Sequence, residues 1–173
     1  YDRLVGSEMC IRDRLDFAAK ERFGLSYMDE NGNQNDEVLV IHRAPLSTHE
    51  RFVAFLTEHW MGNFPTWISP TQVQIITISE RHADYAREVA SRLREHKVRV
   101  AVDDSDSTIG RKIRTHRKMR PAYMLIIGDG EAADGTVSIR ARNGDQRNGV
   151  PLEDFIAGVT EEIKNRSSKL SQV

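Results

Sequence analysis

Two residues near the start of this chain have side chains and a spacing that could do chemistry. His42 ends an apolar run, and Arg51 falls in the first turns of a predicted helix. Histidine is a common metal ligand, and a guanidinium can fork onto phosphate oxygens. Both also have ordinary explanations, since histidines at strand ends often only pack and arginines of a first helical turn are usually solvated. A zinc site needs three or four donors, so His42 alone does not make one.

A second group consists of basic residues in the stretch TIGRKIRTHRKMR, which predicts a short helix. A solvated helix face would explain such a run of charge. RNA binding is favoured because the helix has no acidic residues at helical spacing and more arginines follow it. The basic residues are Arg111, Lys112, Arg114, His116, Arg117, Lys118 and Arg120, followed by Arg140, Arg142 and Arg147.

Two nearby patterns do not meet the requirements of known binding loops. DDSDS resembles part of a calcium loop, but Gly110 is misplaced and the bidentate glutamate is missing. GDGEAADG lacks the Lys-Ser/Thr of a phosphate-binding loop, so we predict that DGEAADG is a turn.

Composition narrows the class of protein. The chain has 173 residues, with 39% hydrophobic and 29% charged residues and a net charge of -1. No apolar stretch approaches the roughly 18–20 residues that a bilayer requires, which predicts a soluble chain. The single cysteine, Cys10, excludes an internal disulfide and fits a cytoplasmic location. A net charge near zero means that nucleic acid would have to bind a local basic patch.

The elements that would position these residues follow from local pattern. LSYMDENGNQNDEVLVIH predicts two strands around an Asn31-Gly32 turn, with His42 at a strand end. Ser47 and Thr48 mark a helix start, with Glu50 completing a possible capping box on Ser47. GNFPTWISPTQ is typical of a linker.

Strand and helix signals alternate beyond this linker, as in an α/β domain. The predicted strands are VQIITIS, VRVAVDD, AYMLIIG and TVSIRAR, the last antiparallel to the third. The predicted helices are ERHADYAREVASRLREH, which Ser79 would cap, the basic helix, and PLEDFIAGVTEEIKNR, which begins with proline.

These motifs together resemble a known family. IHRAPLSTHERF resembles the motif 3 segment of threonyl-tRNA synthetases, which are class II enzymes. The stretch from ISPTQVQIITISE to IGRKIRTHRKMRPAYMLIIGDGE is similar to their C-terminal anticodon-binding domain. The resemblance begins near Leu15 and continues to the end of the chain.

The resemblance implies an enzyme that activates threonine with ATP and Mg²⁺, esterifies it to tRNA(Thr), and forms a homodimer. In that family His42 matches a Zn²⁺ ligand, Arg51 matches the arginine that holds the ATP phosphates, and Thr48 lies close to the bound amino acid. Zinc coordination makes physical sense because an apolar pocket separates a methyl group from a hydroxyl poorly.

In the anticodon-binding part, the resemblance assigns base reading to Asp106, Arg120, Glu131 and Arg140. Unstacked anticodon bases are read at their edges, where guanidinium and carboxylate groups are suitable partners. The basic helix, including Arg111 and Lys112, would then hold backbone phosphates. Two departures are Ser47, where the family commonly has glycine, and Asp106, where it often has asparagine.

The resemblance also predicts the domain organisation. Residues 1–14 look like foreign sequence, 15–64 like the end of a catalytic domain made of a hairpin plus the motif 3 strand and helix, and 65–173 like a mixed-sheet anticodon-binding domain. With one zinc ligand and one ATP-binding arginine, this stretch is expected to bind tRNA rather than to catalyse. The alternatives are a non-catalytic RNA-binding accessory module of the same fold, which retention of His42 and Arg51 disfavours, and a structural domain that binds no RNA.

Overall fold

The computed structural model describes residues 13–43 and 48–173, and the chain divides into two compact units between His59 and Trp60. This division lies five residues before the predicted boundary between residues 64 and 65. The side chains of Asp13, Arg14 and Arg43 are not described. None of the helices within the described ranges has the length and apolar character needed to cross a membrane.

The first unit contains short antiparallel strand pairs. Its elements are β1 (Asp13–Asp16), α1 (Ala19–Phe23), β2 (Tyr27–Met28), β3 (Gln34–Asn35), β4 (Val40–Arg43) and α2 (His49–Trp60), which ends at the boundary. The predicted turn at Asn31-Gly32 is confirmed, because β2 pairs with β3 around it and Gly32 has φ +78°. The second predicted run, however, forms two strands, and β4 pairs with β1. Strand β1 includes Asp13 and Arg14, which the sequence had placed in a foreign head.

The second unit is built on a five-stranded mixed sheet in the order β6-β5-β7-β8-β9. Strand β5 is parallel to β6 and β7, whereas β8 and β9 are antiparallel additions. Its strands are β5 (Val73–Thr77), β6 (Val100–Asp103), β7 (Tyr123–Ile127), β8 (Thr136–Ala141) and β9 (Gln146–Pro151). Its helices are α3 (Ala83–Glu95), α4 (Ile109–Met119), α5 (Asp129–Asp134) and α6 (Leu152–Lys164). The predicted α/β class and mixed sheet are therefore confirmed.

One face of this sheet carries the core. Side chains at alternate strand positions, such as Ile75, Leu125 and Ile139, are buried with Leu93 of α3 and Phe155 of α6. Because successive strand side chains point to opposite faces, the intervening residues belong to the other face. That second face is where α4 packs, over β5.

Three local predictions differ from the structure. DGEAADG is not a simple turn but contains helix α5, because the Glu131 carboxylate accepts the Gly128 N–H at the helix start and Gly135 ends it at φ +67°. Strand β9 was missed because QRNGVP is polar and carries glycine and proline, so it resembles a loop. Proline precedes α6 at its N-cap position, with the helix beginning at Leu152.

The predicted linker is folded into the second unit. Thr66 lies in a short 3₁₀ turn, is fully buried, and donates its hydroxyl to the carboxylate of Glu162 on α6. The same carboxylate accepts from the Tyr123 hydroxyl at 2.7 Å and from the Ser171 hydroxyl at 2.6 Å. Burial, and then the bond to Glu162, raise the pKa of Tyr123. Glu162 therefore holds together the start, the centre and the end of this unit.

Candidate nucleic-acid interface

The second face of the sheet is built from two rows of residues in register. The first row runs Ala101, Gln74, Met124, Arg140 and Gln146 across the strands, and the next runs Asp103, Ile76, Ile126 and Ser138. Residues directly opposite each other on paired strands share a face. Helix α4 covers this face at β5, so Arg140 and Ser138, on β8, lie on the part of the face beyond that strand. On this part, Met124 and Ser138 are buried, whereas Ile126 and Arg140 are partly exposed. We call the part formed by β7 and β8 the open face.

Helix α4 divides its basic residues between two sides. Lys112 is 2% exposed, and its ammonium donates to the Thr77 carbonyl at 2.9 Å and the Thr77 hydroxyl at 3.2 Å. His116, one turn later on the same side, contacts Asp103 through Nε2 at 2.6 Å. The remaining cations of this helix are exposed, namely Arg111, Arg114, Arg117 and Lys118.

This division bears on the predicted phosphate contacts. Arg111 stands on the exposed side, as a phosphate ligand would. The ammonium of Lys112 is instead enclosed beside the ends of β5 and β6, with the Asp103 carbonyl 3.5 Å away. Its contacts are those of a residue that attaches α4 to the sheet.

Asp103 organises the loop that precedes α4. One carboxylate oxygen accepts the Ser105 N–H at 3.1 Å and the Ser105 hydroxyl at 2.6 Å, and the other contacts His116. Burial acts to raise the pKa of Asp103, but the hydrogen bonds from Ser105 and His116 outweigh it, so the pKa lies below its usual value. Asp106, the predicted base reader, is exposed on the loop held in this way.

Glu131 is held by two hydrogen bonds at the end of the open face. Its Oε1 accepts the Ser138 hydroxyl at 2.6 Å, and its Oε2 accepts the Gly128 N–H at 3.0 Å. Burial acts to raise the pKa of Glu131, but these bonds outweigh it and lower the pKa. Each carboxylate oxygen has two lone pairs, so an ionised Glu131 keeps acceptor capacity for a ligand.

Arg140 lies two residues along β8 from Ser138, on the same face, which is about 7 Å of strand. It lines a cavity of about 20 Å³ together with Arg117, Arg142 and Met124, among others. Among the residues that the structure describes, the guanidinium groups of Arg140 and Arg117 form no ion pair or hydrogen bond. Arg142 differs, because it donates to the Phe64 carbonyl at 2.6 Å, and burial lowers its pKa.

Arg120, another predicted base reader, ends α4 in the left-handed region at φ 50°. Its guanidinium donates to the Met61 carbonyl and lies 3.4 Å from the Asn63 side-chain oxygen. Arg120 therefore contacts the segment that enters this unit, and the structure does not bring it to Glu131.

In the first unit, His42 lies on β4 and its Nε2 is 3.1 Å from Oδ2 of Asp16 on β1. This hydrogen bond lowers the pKa of Asp16. No group of three or more histidine, cysteine, aspartate or glutamate side chains that could hold a metal occurs in the part of the chain that the structure describes. The described residues therefore do not fit a zinc ion, which needs three or four donors, and Cys10 lies outside them.

Thr48 caps helix α2. Its hydroxyl oxygen accepts the Arg51 N–H at 3.4 Å, which is the usual N-cap geometry. Arg51 is thereby placed in the first turn of α2, where its side chain is exposed. The predicted capping box on Ser47 lies outside the described residues.

Several residues of the interface were missed by sequence reasoning. Ser138 holds Glu131 and lies in no charged run, whereas Asp103, which holds the loop of Asp106, was considered only as part of the acidic stretch DDSDS and of a strand end. A signal for the inward side of α4 was present, since Ile109, Lys112, Ile113 and His116 recur at the 3, 1 and 3 spacing of a buried helix face.

The chain is similar to curated threonine-tRNA ligases. A threonine-tRNA ligase of Caldanaerobacter subterraneus is 41% identical over 166 residues, which are 96% of this chain and 26% of the relative. One of Phocaeicola vulgatus is 42% identical over 156 residues, 90% of this chain and 24% of the relative. The chain thus spans about a quarter of the length of these curated relatives.

Solved structures show the same fold. The RNA binding domain of threonyl-tRNA synthetase from Cryptosporidium parvum Iowa II superposes with a TM-score of 0.65 at 35% identity, over 87% of this chain and 38% of that one. A prolyl-tRNA synthetase of Cryptosporidium parvum has a TM-score of 0.56 at 22% identity, over 85% of this chain and 32% of that one, and so supports the fold alone. A family model described as anticodon binding domain matches residues 72–162, more than half of the 173 residues. The predicted resemblance is confirmed, and the chain belongs to the anticodon binding domain family.

Proposed function

We propose that the second unit binds the anticodon loop of a threonine tRNA on the open face, beside α4. The proposal rests on the guanidinium groups of Arg117 and Arg140, which have no hydrogen-bond or ion-pair partner among the described residues. The Glu131 carboxylate is held in place nearby. Single-stranded RNA is bound by basic surfaces that take its phosphates and by groups that read base edges. This face offers both.

The roles divide by position. Glu131 accepts hydrogen bonds from base N–H groups, and Arg140 donates to a base edge from the same strand face. Arg111, Arg114 and Lys118 take phosphates from the exposed side of α4. Asp106 contributes a second acceptor. The roles of Glu131, Arg140, Asp106 and Arg111 are those that the family resemblance assigned. Two roles differ, since Lys112 attaches α4 to the sheet and Arg120 would support the entering segment.

For the whole protein, we propose threonine-tRNA ligase activity, with threonine, ATP with Mg²⁺ and tRNA as substrates and the family's homodimer as the assembly. The support is 41% identity to threonine-tRNA ligases along nearly the entire chain. Arg51 would hold the ATP phosphates, because it is exposed in the first turn of α2, and Thr48 orders that turn. His42 would be one zinc ligand only if further donors lie outside the described residues.

The anticodon proposal is tested by fluorescence anisotropy with a labelled RNA stem-loop that carries the threonine anticodon arm. The expected result is specific binding that weakens with salt, since phosphate contacts release counterions. A stem-loop of the same length with a different anticodon should bind more weakly at every salt concentration. Equal affinity for both loops would contradict base reading, and no binding at low salt would contradict the proposal as a whole.

A further inference from the structure

An apolar side chain is exposed at the end of the open face. Ile78 follows β5 directly and is 51% exposed. Its N–H donates to the Ile127 carbonyl at 2.9 Å, which extends the parallel β5-β7 register by one residue and places Ile78 beside Gly128. Ile78 lies two residues after Ile76 and therefore on the same face of the sheet, which is the face that we assign to RNA.

Gly128 allows Ile78 and Glu131 to approach each other. A Cβ atom at position 128 would lie 2.7 Å from Ile78 Cδ1 and 3.2 Å from Glu131 Oε2. The first distance is too short for any real Cβ contact, so Ile78 occupies the space that a side chain at 128 would need. The position of that Cβ atom is thus close both to the apolar side chain of Ile78 and to a carboxylate oxygen of Glu131.

The surroundings hold this arrangement in place. The Ser79 N–H donates to Nδ1 of the buried His82 at 3.3 Å, so the ring proton lies on Nε2, which donates to Asp129 at 2.9 Å. These bonds connect the turn after Ile78 to the start of α5, which carries Glu131. The hydrogen bond from His82 also lowers the pKa of Asp129, in keeping with an ionised acceptor.

We propose that Ile78 is the surface on which one base of the bound RNA stacks while Glu131 accepts from that base's edge. The inference rests on the proposed anticodon binding and adds a residue that the motifs do not assign. An RNA base presents a flat apolar face and a polar edge, and Ile78 and Glu131 offer one partner for each. The partly exposed side chain of Ile78 is large enough to be covered by a base ring.

The experiment compares Ile78→Ser with Ile78→Leu, which retains apolar area, using the same anticodon stem-loop. Covering half of an isoleucine side chain is worth about 1 kcal/mol, so Ile78→Ser should lose about fivefold in affinity and Ile78→Leu less than about twofold. Each anticodon nucleotide is then replaced in turn by an abasic one. At the position that stacks on Ile78, the serine penalty should disappear, because no base remains to stack.

A merely structural role gives a different result, since a disturbed fold would weaken every loop alike. The inference is overturned if Ile78→Ser binds the intact loop as tightly as the unchanged protein does, or if its penalty persists in every abasic loop. If the unchanged protein binds no RNA, the proposed function fails and takes this inference with it. Thermal unfolding of both variants confirms that they are compared in the folded state.

Discussion

Substitution of Lys112 by methionine separates a structural role from a phosphate contact. Lys112 is one of the basic residues that the sequence assigned to tRNA, yet its ammonium is buried against Thr77 and Asp103. Methionine matches the length of the side chain but donates no hydrogen bond. We therefore expect Lys112→Met to lower stability and to leave the salt dependence of RNA binding unchanged.

The magnitude follows from the contacts. Losing a charged donor and leaving buried oxygens without it costs about 1–3 kcal/mol per hydrogen bond, and the relief of ammonium burial offsets part of that cost. A net loss of about 2 kcal/mol would lower Tm by roughly 4–8 °C for a chain of this size. The matched control is Arg114→Gln, on the exposed side of the same helix, which should leave Tm unchanged.

The assay is differential scanning fluorimetry for Tm and anisotropy across a salt series for RNA binding. Loss of one phosphate contact should reduce the slope of log K against log salt by about 0.7 for a single strand. Arg114→Gln should show that reduction, and Lys112→Met should not. A reduced slope for Lys112→Met at unchanged Tm would refute the structural assignment.

Three further predictions concern buried or held carboxylates. Glu131→Gln should weaken binding of the anticodon stem-loop about tenfold at unchanged salt slope, because a charge-assisted hydrogen bond is lost without loss of a phosphate contact; an altered slope in the titration would contradict this. The folded-state pKa of Asp103 is depressed, so its contribution to stability is present above about the usual value of 3.8 and is lost as pH falls. The Tm of Asp103→Asn should accordingly lie below that of the unchanged protein at neutral pH and converge with it in acid, and a gap that persists in acid would refute the sign. Glu162→Gln should lower the free energy of unfolding by about 2 kcal/mol in urea titration, since its amide cannot accept from both Thr66 and Tyr123; an unchanged midpoint would show that the carboxylate network contributes little.

The path of the chain in the second unit was largely predictable. Strands such as VQIITIS and AYMLIIG are mostly apolar, and most of their residues are buried, which is typical of the interior strands of a parallel sheet. Their alternation with helices indicated the α/β class, which the sheet confirms. Strand β9 was not predictable, because an edge strand needs only one partner and tolerates polar residues, glycine and proline.

The pairing in the first unit was only partly predictable. The Asn31-Gly32 turn was correct because its chemistry is local. The pairing of β4 with β1 joins residues far apart in sequence, such as His42 and Asp16, and no turn signal connects them. The sequence indicated that His42 ends a strand, but not that a carboxylate would be its neighbour.

The sequence by itself determined which residue types are available to bind RNA and on which elements they lie, because helical and strand periodicity are local properties. Only the tertiary structure decided how the cations of α4 divide, since Lys112 and Arg111 are adjacent and both cationic, yet the Lys112 ammonium contacts the Thr77 carbonyl and Arg111 is exposed. It also decided that Ile78, Gly128 and Glu131 meet, because Ile78 and Gly128 follow two strand ends that the parallel register brings together and Glu131 lies on the helix that starts after Gly128. A site of this kind depends on distances between elements, and those distances are set by packing the sheet rather than by any single segment.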